Sequence, residues 1–275
     1  MRTRRPPFLI LGGSITAVFL ILAVLAPLLA PYGSQAIAGP SLASPSAHHL
    51  LGTNDVGQDL LSQLIWGARS AAIVALPAAG IGILVGLLVG GLAGLRGGWV
   101  DAVTMRVVDM FLAIPMLPLL ILIAALVGAS QVAVIVLIAA GAWPNVARVL
   151  RSQTLSLAQR GHVQAARGFG GGALYVLRRH LAPALGPLLA ANLVYWMGTA
   201  IVLQSGLAFL GLSDPSQVSW GEILNRALIH EGVYFSSEWT WWVLPAGFAI
   251  IIVCSGLAFL GLALEPRFNP RWSRA

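Results

Sequence analysis

The chain contains no lysine and few charges of either sign. All 16 basic residues are arginine, and charged residues account for 9% of the 275 positions. Soluble domains are roughly one-quarter charged, so this composition excludes an ordinary soluble fold. A phosphate-binding P-loop needs a lysine that reaches the phosphates of the nucleotide. The chain therefore has no P-loop ATPase site of its own.

Cysteine and the common catalytic motifs are scarce as well. The single cysteine, Cys254, lies in an apolar run, which excludes a disulfide framework and a thiolate metal site. Neither Gly-x-Ser-x-Gly nor His-Glu-x-x-His occurs in the sequence. His48 and His49 are adjacent, but no further ligand accompanies them, so solvation is favoured over metal binding. We predict no catalytic residue, no metal site and no enzyme activity.

Apolar residues are what the sequence has in abundance, at 58% of the chain with a mean hydropathy of +0.86. Six apolar runs approach the ~20 residues that cross a bilayer core. They lie at about Phe8–Ala30, Ala71–Leu95, Val107–Gly128, Val132–Leu150, Ala184–Leu210 and Trp241–Leu264. The first run exceeds the roughly 7–15 apolar residues of a signal peptide, so it is predicted to remain as an anchor. The pattern predicts an all-α integral membrane protein with about six transmembrane helices.

The distribution of the arginines favours one orientation in the membrane. With the N-terminus inside, only Arg69 and Arg226 of the 16 arginines fall outside, and six of the nine acids fall outside with them. The other arginines are Arg2, Arg4, Arg5, Arg96, Arg106, Arg148, Arg151, Arg160, Arg167, Arg178, Arg179, Arg267, Arg271 and Arg274. Cytoplasmic loops carry an excess of basic residues, so both termini are predicted to be cytoplasmic. This rule also accounts for the net charge of +7 without a nucleic-acid partner.

Ionisable residues inside the apolar runs are few, which bears on how such a protein could be energised. Asp109 is the clearest, and it lies within one turn of Arg106 near the cytoplasmic end of its run. We expect these two side chains to pair rather than to relay protons. An ion-coupled secondary transporter usually needs ionisable groups near the bilayer midplane. None is present there, so this class is a distant alternative, as is a membrane-embedded hydrolase.

Small residues and prolines mark the second, third and fourth runs. Four glycines recur at four-residue spacing on one face of the second predicted helix: Gly82, Gly86, Gly90 and Gly94. Glycines at this spacing allow close approach of a neighbouring helix, so we predict helix packing rather than pore lining. Pro115 and Pro118 interrupt the third run and Pro144 the fourth. Such interruptions suit a translocation path, although they also occur in passive membrane helices.

A polar, arginine-rich segment separates the fourth and fifth runs. It reads Gln164-Ala165-Ala166-Arg167-Gly168-Phe169-Gly170, and His180-Leu181-Ala182-Pro183 follows after nine residues. This segment resembles the cytoplasmic coupling loop of ABC-importer permeases, whose pattern is E-A-A, three residues, G, nine residues, I-x-L-P. Gln164 replaces the family's Glu, and His180 and Ala182 replace its Ile and Leu.

Further stretches are similar to the second permease subunit of the oligopeptide/dipeptide/nickel importer family. They are His49–Asp59, Gly97–Asp101, Met105-Arg106 with Asp109, Trp143-Pro144 with Ala147-Arg148, Leu207–Leu212 and Trp220-Gly221. The resemblance implies an ABC type I importer permease fold in the bacterial cytoplasmic membrane. It divides the chain into an N-terminal anchor and external segment (1–66), a permease core (67–264) with its coupling loop (160–183), and a cytoplasmic tail (265–275).

The resemblance also implies partners and roles for residues. The expected partners are a homologous second permease, two ATPase subunits, separate or fused, and an extracytoplasmic substrate-binding protein. ATP and Mg would be bound by the ATPase subunits, and this chain would hold no cofactor. Ala165 and Ala166 are expected to face a groove of the ATPase, and Gly170 to form the turn between two short helices. Short peptides are the favoured cargo, with a nickel complex or metallophore, glutathione and an opine as alternatives.

The predicted orientation can be tested with single cysteines introduced into a Cys254→Ala background. We expect Ser216→Cys to react with a membrane-impermeant thiol reagent in intact cells, because residues 213–238 are predicted to be external. Ser156→Cys should react only after permeabilisation. Labelling of Ser156→Cys in intact cells would contradict the arginine-based orientation.

Overall fold

A computed structural model describes residues 7–128 and 130–264 of the chain. Arg2, Arg4, Arg5, Arg267, Arg271 and Arg274 and the predicted tail at 265–275 lie outside the described residues. The helices are α1 (Pro7–Leu29), α2 (Leu60–Arg96), α3 (Gly98–Ala113), α4 (Met116–Val127), α5 (Gln131–Ala158), α6 (Gly161–Gly168), α7 (Ala173–Val176), α8 (Ala182–Phe209), α9 (Trp220–Ile229) and α10 (Trp239–Leu264). A π-helical turn (Leu177–Leu181) joins α7 to α8, and a 3-10 turn (Val233–Phe235) precedes α10.

The prediction of an all-helical membrane protein is confirmed. Five helical stretches are long and apolar enough to cross a bilayer: α1, α2, α5, Ala173–Phe209 and α10. The predicted boundaries were less accurate. α2 begins at Leu60 rather than Ala71, because Asp59 caps it by accepting a hydrogen bond from the amide of Ser62.

The predicted third span, Val107–Gly128, is two helices rather than one. α3 and α4 are bent by 71° at the break between them. Ile114 is extended, with φ −82° and ψ 122°, and Pro115 follows it as the N-cap of α4. A proline has no N–H to continue the helix and disfavours helical backbone in the residue before it. A sixth span is present only if this bent pair is counted as one.

The four glycines of α2 lie against α5 of the same chain. A Cβ atom added at Gly82 would come within 2.6 Å of the Ala142 Cβ, and one at Gly86 within 2.6 Å of the Val146 side chain. Gly90 lies directly on the backbone of Ala147, and Gly94 on Thr154. Without side chains at these four positions, the two helix backbones approach closely enough for extensive van der Waals contact.

Ion pairs join α3 to α5 at the end of the bundle predicted to be cytoplasmic. Asp101 accepts two hydrogen bonds from the guanidinium of Arg151, which is the planar, two-point arrangement that arginine and carboxylate favour. Asp109 pairs with Arg148 at 2.5 Å. The expected pair of Asp109 with Arg106 is therefore wrong. The bend after α3 lays this helix along α5, which brings a cation on the neighbouring helix closer than the one on its own.

Replacing Gly90 by leucine should destabilise the protein, because the new side chain would collide with the backbone of Ala147. Overpacking of this kind costs about 1–3 kcal/mol. Gly80→Leu is the matched control, since no atom lies within 4 Å of a Cβ added there. The measurement is the thermal midpoint of each purified variant in the same detergent. Equal midpoints for the two leucine variants would show that the contact between α2 and α5 does not limit stability.

Candidate functional site

The 160–183 segment is a helical hairpin whose two arms are anchored in the bundle. α6 forms the first arm and contributes Val163, which is fully buried. Val176 and Leu181 of the second arm are fully buried as well. Leu177 packs against Gly91 of α2, where an added Cβ would come within 2.6 Å of its side chain. The hairpin therefore cannot shift without displacing the ends of the long helices.

The residues predicted as coupling residues lie along this hairpin. Gln164, Ala165, Arg167, Gly170 and Pro183 are exposed, whereas Ala166 and His180 are half-buried. Ala166 packs against the hydrophobic core of its own chain. This differs from the expectation that both alanines face outward, because the buried Val163 fixes the rotation of α6 and turns the Ala166 side of the helix inward.

The turn between the two arms requires glycine at consecutive positions. Gly170 has a φ of +86°, a conformation that other residues rarely adopt. The amide of Gly171 donates to the carbonyl of Ala166 at 2.9 Å, and a Cβ at Gly171 would lie 2.6 Å from that oxygen. Gly170 thus occupies the turn position that the sequence pattern predicted for it.

Three exposed apolar side chains surround this turn, and we call them the apolar tip: Phe169, Leu174 and Tyr175. Phe169 is 94% exposed, so almost none of its ring is covered by the rest of the protein. The flanking Arg167, Arg178 and Arg179 are exposed and form no ion pair with a described residue. The resemblance to the coupling loop includes Phe169 but assigns it no role. An aromatic residue directly before the turn glycine of a polar segment was the signal.

The second arm is distorted where it joins α8. Pro183 has no N–H, so the carbonyl of Arg179 loses its usual helical donor, and the π-helical turn Leu177–Leu181 lies just before it. The ring of His180 lies edge-on to Tyr175, with centroids 5.8 Å apart, and 6.0 Å from the ring of His162. His180 Nε2 is buried without a hydrogen-bond partner among the described residues.

On the opposite end of the bundle, the 49–59 stretch folds into a compact hydrogen-bonded turn on α2 and α9. Gln58 Oε1 accepts hydrogen bonds from Asn54, Gln63 and Arg226, each at 2.8 Å. His49 Nδ1 lies 3.0 Å from the Asp59 carboxylate, and both side chains are buried. His49 is thereby engaged in the fold while His48 is exposed. Within residues 7–128 and 130–264 no three His, Cys, Asp or Glu residues are grouped to hold a metal ion.

Two acids at this end of the bundle, which is predicted to be external, have shifted pKa values. Burial raises the pKa of the Glu222 carboxyl above its ordinary value, and the positive charge of Arg226 opposes this rise. Hydrogen bonds from the Ser216 hydroxyl and amide lower the pKa of Asp214. The Ser219 hydroxyl caps α9 by accepting from the amide of Glu222. The Asp214–Ser216 bonds hold the local turn, whereas Glu222 Oε2 is buried without a hydrogen-bond partner among the described residues.

A bundle of membrane helices with a polar helical hairpin at one end is typical of transport subunits. Comparison with known protein families identifies the class. Residues 82–274 match the family described as binding-protein-dependent transport system inner membrane component. The chain belongs to this family, as an ABC importer permease of the peptide/nickel type in the bacterial inner membrane. The predicted resemblance and fold class are confirmed.

Similar proteins cover nearly the whole chain. A putative peptide permease of Brucella suis biovar 1 (strain 1330) is 33% identical over 94% of this chain and 86% of its own length. A dipeptide transport system permease of Bacillus subtilis (strain 168) is 30% identical over 97% of this chain and 83% of its own. The nickel transport system permease of Escherichia coli (strain K12) is 34% identical over 93% of this chain and 91% of its own. Permeases of this family are membrane subunits that are generally non-catalytic.

Proposed function

We propose that this chain is the permease subunit of an ATP-driven importer that takes short peptides from an extracytoplasmic binding protein. The observation that carries the proposal is the 160–183 hairpin, which presents the apolar tip and arginines that pair with no described acid, while its buried residues hold it to the bundle. An exposed aromatic ring beside flexible cations suits a groove with an apolar pocket and a carboxylate rim. An ATPase subunit would offer that groove.

The hairpin is built to transmit displacement rather than to contact cargo. α5 is separated from α6 only by Gln159 and Arg160, so the first arm continues directly from a transmembrane helix. The second arm contacts α2 through Leu177 and runs into α8. A push on the apolar tip would therefore move α5, α2 and α8 together, because packed interiors have low compressibility and transmit strain.

The remaining machinery belongs to partner subunits in this proposal. A homologous second permease completes the path, and two ATPase subunits, separate or fused, bind ATP and Mg. This chain holds no cofactor and no catalytic residue. Gln164, Ala165, Arg167 and Gly170 form the exposed docking face, the half-buried Ala166 and His180 pack within the hairpin, and the exposed Pro183 shapes its junction with α8. The family's description as binding-protein-dependent supports a substrate-binding protein as the donor of cargo.

Short peptides are the proposed cargo because several of the similar proteins carry peptide or dipeptide in their names. The nickel permease of comparable identity supports nickel transport as a second candidate. The two can be separated by reconstituting the importer and measuring uptake of a radiolabelled dipeptide and of nickel. We expect ATP-dependent uptake of the dipeptide. Uptake of nickel without uptake of any short peptide would contradict the proposed cargo, and uptake by this chain alone would contradict the partner scheme.

Replacing Phe169 by alanine should weaken the recruitment of the ATPase, because the variant removes the most exposed part of the apolar tip. Anchor residues at interfaces typically contribute at least about 2 kcal/mol, which corresponds to roughly thirtyfold in affinity. Phe235→Ala is the matched control, since Phe235 is 98% exposed on the opposite end of the bundle. The measurements are a pull-down of the ATPase and dipeptide uptake by the reconstituted complex.

Phe169→Ala with wild-type recruitment and uptake would show that the apolar tip does not dock the ATPase. Phe235→Ala should leave recruitment unchanged. A loss of recruitment in both variants would point to a general effect of exposed aromatic residues rather than to a docking site.

A further inference from the structure

The break between α3 and α4 leaves backbone carbonyls without partners, which a lipid environment does not tolerate. A groove lies beside this break, between α3, α4 and α5. The carbonyls of Leu112, Ala113 and Ile114 accept no backbone hydrogen bond from any described residue. Ala113 and Pro115 are exposed, and Ile114 is 47% exposed. α4 starts without a side-chain cap. Irregular backbone inside the hydrocarbon region is found only where it is buried in protein or lines a water-filled cavity.

The break lies inside the hydrocarbon region of the membrane. α4 has 12 residues, and at 1.5 Å per residue it rises by about 18 Å between the break and Gly128. The hydrocarbon core is ~30 Å thick, so with the turn at Gly128 on the predicted external boundary, the break lies about 18 Å below that boundary and inside the core. Its exposed carbonyls therefore face something other than lipid.

The facing helix contributes two further polar groups to the same groove. Asn145 of α5 is exposed, and no side-chain hydrogen bond joins its amide to a described residue. Pro144 has no N–H, so the carbonyl of Ala140 loses its usual helical donor. Ala140, Asn145, Ile114 and Leu112 all line one cavity of about 400 Å³. Polar groups from two helices thus converge at one place.

The walls of this groove are otherwise apolar. Phe111, Leu119 and Leu137 line it, and Met116 closes one end by packing against Gly141. A volume of this size, with a few polar groups set in apolar walls, is typical of sites for small molecules. The polar groups are mainly acceptors, with one amide that both donates and accepts. They match a ligand that carries an ammonium group, peptide N–H groups and variable side chains.

We propose that this groove is a cargo-contacting surface of the translocation path, where Asn145 and the free carbonyls of Ala140, Leu112 and Ile114 hydrogen-bond a passing peptide. The inference rests on the proposed function for the nature of the cargo. The Asp109–Arg148 pair lies one helical turn away on the same two helices and holds them together beside the groove. Asn145 follows Pro144 directly, so the amide lies close to the Ala140 carbonyl that has lost its usual helical donor.

The test uses single cysteines in a Cys254→Ala background of the assembled importer with its binding protein. A charged, water-soluble thiol reagent should modify Asn145→Cys and Ile114→Cys, and an excess of dialanine should slow both reactions. Ile251→Cys is the control, because Ile251 is 60% exposed on α10, away from the groove. It should not react. Asn145→Leu should lower kcat/KM for dialanine uptake by about tenfold, and Asn145→Gln should retain uptake.

The outcomes separate this inference from the proposed function. If the Cys254→Ala importer takes up dialanine but neither groove cysteine reacts, the groove is not on the path and the proposed function stands. If both groove cysteines react with the thiol reagent and dialanine does not slow the reaction, the proposed contact between the groove and peptide is wrong. If no dialanine is taken up at all, the proposed cargo fails, and the assignment of peptide-binding groups in the groove fails with it.

Discussion

The close contact between α2 and α5 is the constraint on which the rest of the structure depends. In a bilayer, lipid is as apolar as leucine, so helices associate through van der Waals contact and hydrogen bonds rather than through burial from water. Four glycines bring the backbone of α2 onto Ala142, Val146, Ala147 and Thr154 of α5. This contact fixes α5, and α5 in turn positions both the 160–183 hairpin and the wall of the groove.

Two opposite requirements meet on α5. The side that faces α2 is close-packed, with Ala142, Val146, Ala147 and Leu150 fully buried. The side that faces α3 and α4 carries Asn145 and two arginines, Arg148 and Arg151, that pair with acids on α3. A rigid contact on one side allows polar, incompletely paired groups on the other, because the free energy lost by those groups is offset by packing elsewhere. α5 therefore packs rigidly against α2 on one side and lines the proposed translocation path on the other.

The sequence predicted the class of fold, five of the six proposed spans as single helices and the turn at Gly170, because these depend on local composition and periodicity. Long apolar runs and the arginine distribution act through the membrane, which imposes the same rules on every chain. Asp109 was assigned the wrong partner because pairing depends on how two helices cross, and spacing along one helix does not contain that information. The inward side of Ala166 was missed for the same reason, since burial of Val163 determines the rotation of α6.

The prolines show why a single residue type does not predict a single outcome. Pro77, Pro187 and Pro245 lie within continuous helices, because neighbouring groups tolerate one missing donor. Pro115 ends a helix because Ile114 before it is extended and Pro118, within the first turn of α4, needs no intrahelical donor there. Two prolines at this spacing therefore stop one helix and start another. This break differs from the other prolines in what it faces. Among the described residues, the polar groups across the groove from its free carbonyls are the Asn145 amide and the Ala140 carbonyl. A membrane protein retains such a break only where water, cargo or another subunit completes the hydrogen bonds.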